Sequence, residues 1–173
     1  YEEAAVQGYV AGVNAALKIK GRKQVILERS QSYIGTLIDD IITKGVTDPY
    51  RIMTSRAEYR LLLRQNNADL RLTPIGREIG LVDNVRWERF LQRKAAIENE
   101  LQRISKVVIS PNQEVHDVLV PRGTPTITTG IKLIDLLKRP QLDYNALTPI
   151  DKTRPENLDP TVMEEVEVSV KYD

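Results

Sequence analysis

The sequence predicts a mainly α fold with at most a few short strands. Apolar residues recur at helical spacing in most stretches that lie between turn signals. Glycine, Asp, Ser or Thr stands at the ends of those stretches, where helix caps belong. The stretch that begins at Asn84 is amphipathic over roughly 22 residues. At 173 residues the chain can form one domain or two small ones. Its 41% hydrophobic and 28% charged residues are those of an ordinary globular protein. No apolar run approaches the roughly 20 residues that a membrane span needs. With no cysteine there is no disulfide framework, no thiolate metal site and no cysteine nucleophile, which suits a reducing cytoplasm. His116 is the single histidine, so a multi-histidine metal centre is excluded; in NQEVHDVLV it falls on the polar side of a short helix and reads as structural.

From Glu2 to about Lys20, Val6, Val10, Val13 and Leu17 repeat at helical spacing, and Gly21 sits at the expected C-terminal cap. Ala4, Gly8, Gly12 and Ala15 give this helix a second face with almost no side chain, to which another backbone or a cofactor edge can come close, with Gln7 as the nearest amide. Residues 18–29 read as an exposed basic loop of net charge +4. The next helix has the stripe Ile34, Leu37, Ile38, Ile41 and Ile42 and closes at Gly45. On it Asp39 and Asp40 diverge by about 100°, so they make a poor acid and base pair, which must converge.

The most informative segment runs from Arg51 to Arg77. It holds Arg51, Arg56, Arg60, Arg64, Arg71 and Arg77 and no lysine, against Glu58 and Asp69 alone: a net +4 in a chain whose total is +1. Arginine at every one of these positions suggests planar, bidentate donors for phosphate or carboxylate. The bland alternative is pairing with carboxylates elsewhere in the fold. Local signals from Tyr50 to Arg64 are mixed. Alternation favours an extended segment and then a turn, while Ser55 and Glu58 have capping-box spacing. On a helix or on a strand, Arg56, Arg60 and Arg64 would form one ridge.

Thr73-Pro74 is the expected start of a short helix that stops at Gly80. Asp83 caps the long amphipathic helix, with Val85, Phe90, Ile97, Leu101 and Ile104 as its stripe and Trp87 as a packing anchor. Ser110-Pro111 opens a helix to about Val120, Thr129 caps the helix in GIKLIDLLKRP, and DYNALTPI forms one more short helix. Residues 149–160 read as an exposed linker. The tail from Thr161 has a helical start signal, yet Val166, Val168 and Val170 alternate like a strand. From Asp151 the chain carries net −4, so it is basic early and acidic late. Neither an initiator methionine nor a stop signal frames it, which predicts an internal segment of a longer chain. There is no GxGxxG, GxxxxGK[ST], HExxH or GxSxG. On residues alone the chain is a mostly helical domain with an arginine-rich face suited to nucleic acid.

The words YEEAAVQGYVAGVNAAL, SQSYIGTLIDDIITKGVTDPYRIMTSRAEYRLLLRQNNADLRLTPIGREIGLVD and VEVSVKYD resemble the MnmG/GidA family. Its members are the large FAD-dependent subunits of the bacterial tRNA uridine 5-carboxymethylaminomethyl modification enzyme. The likeness covers most of residues 1–100, is strongest from Arg29 to Asp83 and is thin over 107–160. It implies a cytoplasmic homodimer that works with the GTPase MnmE on C5 of the wobble uridine of certain tRNAs. FAD and NADH would supply the redox chemistry, and a methylene-tetrahydrofolate carbon and glycine or ammonium would be the donors. The family's dinucleotide motif and chemically implicated cysteines lie upstream of these words, so no catalytic residue is expected here and the segment should not catalyse alone.

The resemblance further implies that residues 1–28 end an FAD-binding α/β domain with its last helix and a basic loop. Residues 29–82 would be an arginine-rich linking region, 83–150 a helical C-terminal domain, and 151–173 a linker and the start of a further, truncated helix. Gln7 and Gly8 match the family's FAD edge, and Arg51, Arg56, Arg60, Arg64 and Arg71 match a segment associated with tRNA. The alternative is a helical protein-docking module without direct RNA contact.

Overall fold

The computed structural model describes residues 1–172. Among these the order is helices α1 (Glu2–Ile19), α2 (Tyr33–Thr43), α3 (Ala68–Glu78) and α4 (Asn84–Lys106), strand β1 (Val108–Ile109), helix α5 (Gln113–Leu119), strand β2 (Ile131–Lys132), and helices α6 (Leu133–Leu137) and α7 (Pro160–Tyr172). β1 and β2 pair antiparallel, Val108 opposite Lys132 and Ile109 opposite Ile131, in the one sheet among the described residues. The fold is mainly α. The chain divides into two compact units, one from Tyr1 to Trp87 and one from Glu88 onward.

In the first unit, Glu2 and Glu3 stand at the positive end of α1, and Gly21 takes the left-handed φ of +65° that ends it. Asn14 holds the following loop to α1: its amide donates to the Val25 carbonyl at 2.9 Å and accepts from the Val25 N–H at 2.8 Å. The Ser32 hydroxyl caps α2 by accepting from Gly35 N–H at 3.0 Å. Gly35, Thr36, Leu37 and Asp40 are the buried residues of that helix. At Gly35 the helix lies against the backbone of Leu27 and Glu28 so closely that a Cβ would sit 2.2 Å from the Glu28 carbonyl oxygen.

Helix α3 does not start at Thr73. It starts at Ala68, and Pro74 lies inside it. Proline in its second turn removes a single backbone donor, while Arg71 of the first turn is fixed by bonds to Asn67, Gln31 and Arg64. Those bonds come from tertiary structure, which a local start signal does not report.

In the second unit, Phe90, Ile97, Glu100 and Ile104 form the buried stripe of α4, so a carboxylate stands where an all-apolar stripe was expected. Asn112, not Ser110, caps α5 by accepting from Val115 N–H at 2.9 Å. Thr129 caps no helix: Ile131 and Lys132 are drawn into the pairing with β1, and α6 begins after them. DYNALTPI folds into successive turns instead of a helix. Nor is 149–160 a wholly exposed linker. Asp151 is buried, and Arg103 reaches it through two hydrogen bonds, Nη1 to Oδ1 at 2.8 Å and Nη2 to Oδ2 at 2.6 Å. The same guanidinium binds Glu100 at 2.9 and 2.6 Å, and the Tyr144 hydroxyl also donates to Glu100. The tail is a helix because Val162, Val166 and Val170 fall on one face and are buried there.

Candidate nucleic-acid interface

From Tyr50 to Leu63 the backbone is neither α-helix nor strand: an extended piece leads into a 3-10 turn at Thr54–Arg56 and then further turns. Arg56, Arg60 and Arg64 therefore form no ridge. What orders them is an inward set of side chains. Tyr50, Ala57 and Leu63 are buried, and Arg51, Arg56 and Arg60 lie between these anchors at the surface. Arg51 Nε lies 3.4 Å from Glu3, an open pair, and the Arg56 guanidinium stacks 4.7 Å over the Tyr50 ring.

The segment is tied down at three places. The Tyr50 hydroxyl donates to Asp40 Oδ2 at 2.6 Å, and the Ile52 N–H donates to Glu3 Oε1 at 3.1 Å. Arg29 makes the third tie. Its Nε and Nη2 donate to the two oxygens of Glu58, both at 2.8 Å, and Nη2 also reaches the Arg56 carbonyl at 3.1 Å. Its Nη1 turns the other way, to Asp40 Oδ1 at 2.7 Å and Asp39 Oδ2 at 3.0 Å on α2. Arg29 is thus only 20% exposed, not a free charge on a loop. Asp39 and Asp40, divergent along the helix, converge on one guanidinium.

Asp40 has a side chain 2% exposed. Burial would raise its carboxyl, but hydrogen bonds from Lys44, Tyr50 and Arg29 outweigh that and hold it well below the usual carboxylate range. Hydrogen bonds from Arg29 lower Glu58 to about 2. Burial, followed by the bond to Asp40, pushes Tyr50 up to about 12.

The remaining arginines turn inward. Arg64 Nη1 donates to the Leu61 carbonyl at 2.7 Å. Arg71 donates to the Asn67 side chain and to the carbonyls of Gln31 and Arg64; burial, with the charge of Arg64 beside it, lowers its pKa. Arg77 donates to the Val82 carbonyl at 2.8 Å and lies 5.8 Å from the half-buried Trp87 ring, which fits Trp87 as a packing anchor.

Gln7 and Gly8 stand side by side on the exposed part of α1. A Cβ built at Gly8 or at Gly12 would meet nothing within 4 Å, so the small-residue face is open ground. An apolar groove of about 320 Å³ runs along the same unit, lined by Val10 and Val13 of α1, Ile34 and Ile38 of α2, and Leu72 and Ile75 of α3.

Sequence reasoning missed Arg29, Asp40 and Tyr50 as partners. One signal could have found them. Asp40 follows Thr36 and Leu37 on the core face of a strongly apolar helix, and a carboxylate there demands a cation.

These geometries have close relatives. Residues 84–173 match the model of the tRNA modifying enzyme MnmG/GidA C-terminal helical domain. Over all 173 residues the chain is 57% identical to the tRNA uridine 5-carboxymethylaminomethyl modification enzyme MnmG of Caldicellulosiruptor saccharolyticus. The chain belongs to the MnmG/GidA family. An MnmG of Clostridium botulinum is 54% identical, again over the whole chain. The structure of Aquifex aeolicus GidA in the form II crystal superposes with a TM-score of 0.82 at 37% identity, covering 99% of this chain and 26% of that one. The chain spans 28% of the length of each of these two MnmG relatives. Among the described residues no helix is long and apolar enough to cross a membrane.

Proposed function

We propose that this chain is part of an FAD- and NADH-dependent enzyme which, with the GTPase MnmE, adds a carboxymethylaminomethyl group to C5 of the wobble uridine of certain tRNAs in the cytoplasm. The observation that supports the reading is 57% identity, over all 173 residues of this chain, to a tRNA uridine 5-carboxymethylaminomethyl modification enzyme MnmG. Arg51, Arg56 and Arg60 support a tRNA-positioning role for this segment, since three exposed guanidinium groups follow one another along an irregular, firmly tied backbone. Arg64 and Arg71 belong to the same candidate set and in addition brace the turn beneath it. Phosphate contacts of this kind position an RNA without selecting its bases.

The residues present on α1 fit a flavin edge. A Cβ built at Gly8 or Gly12 would meet nothing within 4 Å, which leaves room for a flavin edge to approach, and the neighbouring Gln7, whose Nε2 donates to the Glu3 carbonyl at 3.2 Å, keeps its amide oxygen as an acceptor there. When bound, FAD would carry the electrons that NADH supplies. Gln7 and Gly8 would hold and orient one edge of it; most of both nucleotide sites would lie outside this chain. In the whole enzyme, a homodimer, residues 1–28 would close the FAD-binding domain, and this chain would also contribute to partner docking.

In the full-length protein, Arg51→Ala, Arg56→Ala and Arg60→Ala should each weaken tRNA binding and flatten its dependence on log salt by about 1. The purified protein should be yellow and bleach with NADH in the absence of oxygen. A colourless protein would sink the flavin reading. Unchanged salt slopes, together with capture of MnmE through the apolar groove, would favour a docking module without RNA contact.

A further inference from the structure

An irregular segment has no hydrogen-bond ladder of its own, so Arg51, Arg56 and Arg60 are aimed only as well as the tertiary bonds beneath them allow. Among the described residues, long-range hydrogen bonds hold the segment at Tyr50, at Ile52 and at Arg56 with Glu58. The third is a single guanidinium. Arg29 faces α2 with Nη1, through Asp39, Asp40 and the Thr36 carbonyl at 3.4 Å, and faces the segment with Nε and Nη2. Neither the arginine run nor the family resemblance assigned it a role.

We infer that Arg29 is a positioning residue for RNA binding: its fork ties Arg56 and Glu58 to α2, so that Arg56 and its neighbours Arg51 and Arg60 form a preformed anion-binding strip. The inference rests on the tRNA reading of that strip. Its most direct support is the bond from Arg29 to the backbone carbonyl of Arg56, one of the presented arginines. A lysine in place of Arg29 keeps the charge but lacks the planar fork that grips Glu58 through two atoms and α2 through a third. A strip aimed in advance loses less freedom when the RNA arrives, and that difference appears as affinity.

The test uses the full-length protein with Arg29→Lys, Glu58→Ala, their combination, and Arg60→Ala as a direct-contact reference. Amide exchange over residues 51–60, thermal melting, and the dissociation constant for unmodified tRNA across a salt series are measured. Arg29→Lys and Glu58→Ala should each speed exchange in that segment by about tenfold and weaken tRNA binding by about tenfold. Each should flatten the salt slope by more than the change of about 1 that Arg60→Ala produces, because several arginines lose their aim together. The combined variant should bind no more weakly than the weaker single one.

Faster exchange with normal affinity and slope, while Arg60→Ala does weaken binding, overturns the positioning role and leaves Arg29 a brace of the fold. Normal binding by Arg60→Ala, Arg51→Ala and Arg56→Ala overturns the tRNA reading itself, and the two failures are therefore distinct. Should Arg29→Lys melt below the assay temperature, Glu58→Ala carries the test alone, since the Glu58 carboxylate is half exposed and its loss buries no unpaired charge.

Discussion

Arg103 and Asp151 meet as a fork on a fork, two hydrogen bonds of 2.8 and 2.6 Å between residues 48 positions apart. Both Asp151 and Glu100, the other carboxylate on this guanidinium, have side chains 3% exposed. Replacing Arg103 by methionine would keep much of its volume while leaving two buried carboxylates without a cation. The expected loss is about 3–5 kcal/mol, read as a shift of the urea midpoint at constant slope. A loss below about 1 kcal/mol would mean that the cluster is wet or rearranges.

The Arg29 cluster sets an acid limit on the first unit. Asp40 and Glu58 both have folded-state values below their ordinary 3.8 and 4.5, so the stability they confer is present above those values. It is lost as pH falls through the folded values, about 2 for Glu58 and lower still for Asp40. The urea midpoint of the protein should drop between pH 4.5 and pH 2, and Asp40→Asn should flatten that drop while lowering the midpoint at neutral pH. Parallel acid limbs for the two proteins would contradict the assignment.

Two tyrosines should titrate late. Tyr50 and Tyr144 are each pushed up to about 12, first by burial and then by a hydrogen bond to a carboxylate, Asp40 and Glu100 respectively. The stability that follows from such raised values is present below the ordinary phenol range and is lost as pH rises through about 12. Absorbance of the phenolate near 295 nm should show a late phase from which Tyr50→Phe and Tyr144→Phe each remove one residue's amplitude. Tyr144→Phe should also cost about 1–2 kcal/mol for its hydroxyl bond to Glu100.

Gly8 and Gly35 should respond oppositely to alanine. At Gly35 the new methyl would lie 2.2 Å from a backbone oxygen that cannot step aside, so Gly35→Ala should lose about 3 kcal/mol or more. Gly8 faces open space inside a helix, so Gly8→Ala should gain about 0.5–1 kcal/mol. In the full-length protein that same stabilised variant should hold less flavin, measured as the ratio of 450 nm to 280 nm absorbance. Unchanged flavin content would remove Gly8 from the cofactor site.

The sequence was most legible where one cap and one stripe decide the outcome. Gly21 ends α1, Gly45 ends α2, and Asp83 accepts from Arg86 N–H at 2.8 Å to open α4, all as spacing predicts. Legibility failed where distant residues set the backbone. Residues 50–63 owe their shape to Asp40, Glu3 and Arg29, none of them a local neighbour. Pro74 misled because proline favours the first turn of a helix, yet here the bonds of Arg71 to Gln31 and Arg64 hold an earlier turn in the helix. The valines after Thr161 left strand and helix both open, because Val162, Val166 and Val170 also satisfy a helical spacing, and the packing of α7 against α6 selects the helix. For the candidate site, the run of arginines was visible, but which of them face outward depends on burial of Tyr50, Ala57 and Leu63.

In a chain without cysteine, the forks of Arg29 and Arg103 act as reversible cross-links that close loops of 29 and 48 residues. Doubling such a loop costs only about 0.6 kcal/mol of closure entropy. Turns between the clamped ends can therefore lengthen or shorten at little thermodynamic expense while the ends stay in register. Such staples need no oxidant to form and no reductant to open, and each dissolves together with the unit that it fastens.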